Sequence, residues 1–258
     1  MRYSFFYLKS VIFLSLVLLI SEPLCCLASE FPVRKRAGIV IVRNGIDAFI
    51  RNPSEAHFPY RVFEKDGQNI MGPIGSWSKP DSLRYLLRFD VEGAFEKQGL
   101  KLEEFNLTRA VLLLTPSRKS ASKQMIPITI HPLTNYFAGR NTSTSPSGQC
   151  EGADWTNRVQ FISWYHEGGD FLLNPSAKAI IPAVENREVE IDITSIMKLC
   201  FDNFRKTGKW VDYGMIIMRD KDIQSDCLYR NIYGFNAVNL RMHHEFRGKT
   251  LVPELYLE

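Results

Sequence analysis

The stretch WYHEGGDF, residues 164 to 171, gathers Trp164, Tyr165, His166, Glu167, Asp170 and Phe171 around two glycines. Three kinds of chemistry use such groups. A zinc hydrolase uses two histidines four apart on a helix with a glutamate beside the first. Here His166-Glu167 runs into Gly168-Gly169, which breaks a helix, so the imidazole and later ligands cannot share a helical face. A polysaccharide lyase or hydrolase would use Tyr165 or His166 with a carboxylate across a cleft. A binding platform uses aromatic faces against the C–H-rich faces of sugars, with polar groups fixing the hydroxyls.

The aromatic reading extends beyond the motif. Trp155, Trp164, Tyr165 and Tyr136 fall near a long polar loop, residues 139 to 154, and the sequence places His166 and Asn141 beside them as polar help. Arg241, Arg247 and Lys249 would add affinity for acidic sugars. The competing reading makes Trp155 and Trp164 core residues and the glycine pair a turn needing positive φ.

Other candidates are weaker. His243 and His244 are adjacent in a strand-like stretch and so point to opposite faces. Carboxylate pairs such as Glu103-Glu104 and Glu188 with Glu190 sit in no motif that links them to a reaction. No Gly-x-Ser-x-Gly elbow and no phosphate-cradling loop is present. Asn106 and Asn141 head glycosylation sequons. The formal net charge is +4, and the basic residues are scattered rather than striped, which argues against nucleic acid and nucleotide partners.

The elements that must hold these residues are mostly strands. Residues 38 to 43 and 47 to 51 flank Asn44-Gly45, a hairpin signal. In LRYLLRFDV, 83 to 91, Leu83, Tyr85, Leu87 and Phe89 share one face and Arg84, Arg88 and Asp90 the other, with Leu86 the exception. Residues 91 to 105 predict a short helix with Gly99 near its end. Strands follow at 108 to 115, 126 to 133 and 159 to 164. REVEIDITS, 187 to 195, alternates cleanly, and Thr194 or Ser195 then caps a helix whose Ile196, Leu199, Cys200 and Phe204 form an apolar face ending at Gly208. Strands at 212 to 220, 237 to 245 and 250 to 258 complete the chain, the last with Pro253 marking an edge or bulge. Nine to eleven short strands with few helices predict an all-β fold, an antiparallel β-sandwich of jelly-roll type with one or two short helices.

The first 28 residues read as a secretory signal peptide: Arg2 and Lys9, an apolar run from Val11 to Ile20, then Ala28 at a small-x-small site. An uncleaved anchor and lipidation at Cys25 or Cys26 are the alternatives. Residues 29 to 37 form a basic tail, and 38 to 258 a single domain. The expected destination is secreted, extracellular or at the cell surface. Of the three cysteines left after cleavage, Cys150 and Cys227 lie in polar stretches and could pair, and Cys200 lies on an apolar face.

The order of pieces resembles the DNRLRE-domain proteins, the β-sandwich group that includes carbohydrate-binding module family 96. DAFIR comes first, then LLRFDV, TRAVLLLT and ITIHPLTNYFAG. GADW, WYHEGGDF, VEIDITSIMKLCFDN and DYGMIIM follow, and HHEF and LVPELYLE close the series, from Gly38 to Glu258. The chain departs from the pattern at Tyr136-Phe137 and Cys200, where a tryptophan is common, and in a longer segment from His57 to Ser82. The resemblance implies a non-catalytic surface sandwich that binds a polysaccharide or surface glycan, or a structural part of an extracellular assembly. It makes Gly168, Gly169, Asp170 and Phe171 scaffold positions. It requires no cofactor, and it suggests a structural calcium ion held by Asp47 and Glu245.

Overall fold

A computed structural model describes residues 38–53, 64–65, 68–69, 71–75, 81–117, 124–139, 152–183, 188–220, 229–235 and 251–258. The expected leader, basic tail, Asn141, Cys150, Cys227, the strand at 237 to 245 with His243 and His244, and Glu245, Arg241, Arg247 and Lys249 lie outside these residues. Strand β1 (Val40–Val42) is followed by β2 (Gly45–Arg51), β3 (Glu64–Lys65), β4 (Gln68–Asn69), β5 (Met71–Gly75) and β6 (Leu83–Phe89). Helix α1 (Val91–Lys97) leads to β7 (Ala110–Leu114), β8 (Ile126–Pro132), β9 (Asn157–Val159), β10 (Ile162–Ser163), β11 (Ala177–Ile181) and β12 (Val189–Asp192). Helix α2 (Thr194–Thr207), β13 (Met215–Arg219), β14 (Tyr229–Tyr233) and β15 (Glu254–Leu257) complete the order.

The fold is an all-β antiparallel sandwich, with two α-helices among the described residues. The smaller sheet has the order β1-β15-β7-β12. The larger has the order β11-β8-β13-β6-β5-β14, with β2 running the length of β6 from Gly45 opposite Phe89 to Arg51 opposite Leu83. Between the sheets lies the main core, where Leu112, Leu114, Ile191, Leu255 and Leu257 meet Tyr85, Leu87, Ile128, Ile130 and Ile217. These are the alternate positions of each strand, as the period of two requires.

Several local expectations are corrected. Asn44-Gly45 does not close a hairpin: β1 pairs with β15 and β2 with β6, so the two residues carry the chain from one sheet to the other. Partners distant in sequence override the turn preference. Strand β15 is not an edge, since β1 and β7 flank it, and Pro253 stands just before it, where no ladder bond is lost. Residues 159 to 164 are not one strand but part of a small hairpin, β9 with β10.

On α2 the buried residues are Ile196, Met197, Phe201 and Phe204, so the apolar face is turned from the expected one and Leu199 is exposed. Neither Thr194 nor Ser195 caps the helix. Asp192 Oδ1 accepts from Thr194 N at 2.9 Å, and Thr194 Oγ1 accepts from Ala110 N of β7 instead. Gly208 ends the helix with φ +68, as expected of a left-handed cap.

The exception at Leu86 has a physical cause. The larger sheet is covered on both faces, and a second core packs Leu86, Ala48, Ile50 and Ile216 beneath Leu133, Phe137, Ala153, Trp155 and Trp164. Loops rather than strands supply that second cover.

Candidate functional site

The residues 164 to 171 form a turn on top of the second core. Its glycines have φ +86 at Gly168 and +109 at Gly169, a region costly for side-chain-bearing residues. Gly168 N donates to Trp155 O at 2.7 Å, and Gly168 O accepts from Arg84 Nη1 at 2.7 Å. Arg84 is buried, pairs with Asp81 at 2.5 Å, and lies 4.7 Å over the Trp155 ring. Thus an arginine on β6 satisfies its charge inside the loop layer and ties the turn to the sheet.

Asp170 holds the turn from within. Its buried carboxylate accepts from Tyr165 N at 2.9 Å, His166 N at 2.8 Å and Asn135 Nδ2 at 3.2 Å. His166 Nδ1 stands 3.2 Å from the same group. Backbone amides converging on a carboxylate make a stiff anchor. The result is a braced turn whose next side chains point outward.

The structure divides the predicted site residues. Trp155 and Trp164 are 7% and 6% exposed, so their faces are core, not platform. Trp164 spends its indole N–H on Asp154 O at 3.0 Å. Tyr165, by contrast, is 86% exposed, and the His166 ring is also in solvent. Tyr136 is 43% exposed, with Arg158 lying 5.7 Å over its ring and donating to its carbonyl at 3.3 Å.

Sequence reasoning missed Phe161, which is 83% exposed at the tip of the β9–β10 hairpin with φ +64. A phenylalanine at positive φ is strained, and strain of that kind collects at functional surfaces. The signal was absent from the sequence because Phe161 reads there as an interior strand residue.

Asp47, the described half of the suggested calcium pair, is buried on β2. Its Oδ2 accepts from Tyr85 OH and from Phe235 N, each at 2.9 Å. Burial pushes its carboxyl up to about 6. Among the described residues no three His, Cys, Asp or Glu side chains come together as a metal-binding group. The surroundings of Asp47 are those of a hydrogen-bonded core carboxyl, and its suggested partner Glu245 lies outside the described residues. Cys200 is a free, partly buried thiol, its pKa raised by burial.

Cavities lie elsewhere. A polar cleft of about 530 Å³ opens between the start of α1 and the link after α2, with Asn44, Arg88, Asp90, Glu92, Trp210 and Asp212 in its walls. A more apolar one of about 400 Å³ runs beside α2, past Leu172, Met197, Leu199 and Tyr213. Tyr136, Trp155, Trp164, Tyr165 and His166 line neither. The sequence reading missed Asp212 and Trp210, whose ring packs back on Phe201 and Phe204 of α2.

No family model matches the chain, and no curated protein matches it.

Proposed function

We propose that this domain is an exported, non-catalytic polysaccharide-binding module. The observation that carries the reading is the exposure of Tyr165 on a turn braced by Asp170, with Phe161 exposed four residues earlier. Aromatic area held rigid before binding loses little entropy on contact with a sugar face. His166, beside Tyr165, and Arg158, at Tyr136, supply donors for hydroxyl groups. The resemblance to DNRLRE-domain proteins supports the same reading. One such module binds weakly, so retention by a long polysaccharide with many repeats is the relevant property.

The burial of Trp155 and Trp164 favours a second reading, a structural or adhesion domain that uses this surface against a protein partner. The enzyme alternative finds no support in the placement of Tyr165 and His166, which line none of the cavities above. Affinity electrophoresis through gels containing neutral or acidic polysaccharides separates the first two. Retardation by at least one glycan, lost in Tyr165→Ala, supports binding. Unretarded migration in every gel overturns it in favour of the structural reading.

A further inference from the structure

The polar cleft is one half of a longer groove. A shallower depression of about 740 Å³ continues along α1 past Phe95, Glu96, Lys101 and Glu103, and Trp210 and Glu92 belong to both. Trp210 therefore stands as a shared wall between two compartments. It is half-buried and fixed, with Phe201 edge-on at 5.0 Å and Phe204 at 6.2 Å. Phe201 is in turn packed on Phe105 and Phe95, so the wall is an extension of the core.

The polar lining is also set in place. Asp212 Oδ1 accepts from Gly214 N at 2.7 Å, and Asp90 Oδ1 accepts from Gly93 N at 3.0 Å. Arg88, in the same wall, offsets part of the Asp212 charge. Five carboxylates, Asp90, Glu92, Glu96, Glu103 and Asp212, face three cations, Arg88, Lys101 and Lys209, across the two compartments. The groove is net negative on a chain whose formal charge is +4. The contrast selects cationic ligands. Among the described residues the carboxylates do not gather into a metal-binding group.

We propose that this groove binds a chain of amino sugars, with a ring stacked on Trp210 and protonated amines paired with Asp212 and Glu92. Two adjoining compartments on either side of one aromatic match successive rings of an oligosaccharide. Carboxylates and the Asn44 amide match its ammonium and hydroxyl groups. The site is separate from the Tyr165 surface, and its occupancy does not depend on that surface.

Calorimetric titration of the full chain with a glucosamine hexamer, its fully N-acetylated counterpart and hexalysine tests this. The glucosamine hexamer is expected to bind at least tenfold more tightly than the other two. Glu92→Gln should weaken it by tenfold or more at unchanged thermal stability, Asp212→Asn should weaken it as much with thermal stability unchanged or raised, and Trp210→Phe, which keeps the packing, should weaken it less. Tyr165→Ala should leave it unchanged, which separates this site from the platform. No binding of the glucosamine hexamer, equal binding of the acetylated hexamer or of hexalysine, or full affinity in both carboxylate variants overturns the proposal.

Discussion

One face of the larger sheet is covered by strands, the other by loops. On the strand side the cover is aliphatic, Leu112 and Leu255 against Tyr85 and Ile217, and its stability comes from area removed from water. On the loop side the apolar patch is smaller, and buried polar groups tie it down: Arg84 to Asp81 and Gly168, and Asp170 to two backbone amides. Non-directional burial tolerates substitution of like for like. A directional network depends on geometry, and the loop side is where exposed aromatics are displayed. The molecule therefore puts its adaptable packing between the sheets and its rigid packing under the candidate surface.

The largest effect tests the strand side. Leu112→Ala removes a fully buried side chain from the middle of the smaller sheet and should cost about 3–5 kcal/mol, read as a fall in the urea midpoint. Gly168→Ala tests the loop side. A Cβ there would stand 2.8 Å from both Arg84 Nη1 and Trp155 Cζ2, at φ +86. Strain plus displacement should cost about 2–4 kcal/mol. If this added methyl group leaves the midpoint unmoved, the loop side is as adaptable as the strand side and the contrast fails.

The strand side was the legible one. Leu83, Tyr85, Leu87 and Phe89, and Val189, Ile191 and Ile193, could be assigned to a core from alternation alone, because a pleated strand repeats every two residues. The loop side follows no period. Trp155 and Trp164 look alike in sequence whether they stack on a sugar or fill a core, and only the bonds around Arg84 and Asp154 decide it. The turn at Gly168-Gly169 was legible because positive φ has few sequence solutions. Phe161 was not, since it adopts positive φ without being a glycine. The route of β1 and β2 into different sheets depends on β15, more than 200 residues away, which no local signal records.

A smaller effect comes from the one carboxyl on the strand side of β2. Asp47 is pushed up to about 6 by burial, against about 3.9 in an unfolded chain. The folded state thus holds this proton more tightly. Its contribution favours folding at low pH and is lost as pH rises from about 4 to about 6. Asp47→Asn keeps an oxygen to accept from Tyr85 and Phe235 and removes the charge. It should be more stable than the parent above pH 6 by about 1–3 kcal/mol and flatten that part of the stability profile. Asp212, also raised to about 6 by burial, should leave a residual slope in the variant. A parent profile that rises from pH 4 to 6 would contradict the assignment.

The smallest expected change in stability carries the sharpest information about the loop side. Phe161 is exposed, so its ring contributes little to folding, yet its backbone sits at φ +64. Phe161→Gly relieves that conformation and should raise stability by about 0.5–1 kcal/mol, after allowing for the greater freedom of the unfolded glycine. The same substitution should reduce retardation in whichever polysaccharide gel retains the parent. A gain in stability with a loss of binding would mean that the strain is maintained for the surface it presents. A gain in stability with retention unchanged would remove Phe161 from the binding surface and leave Tyr165 to carry it with Tyr136.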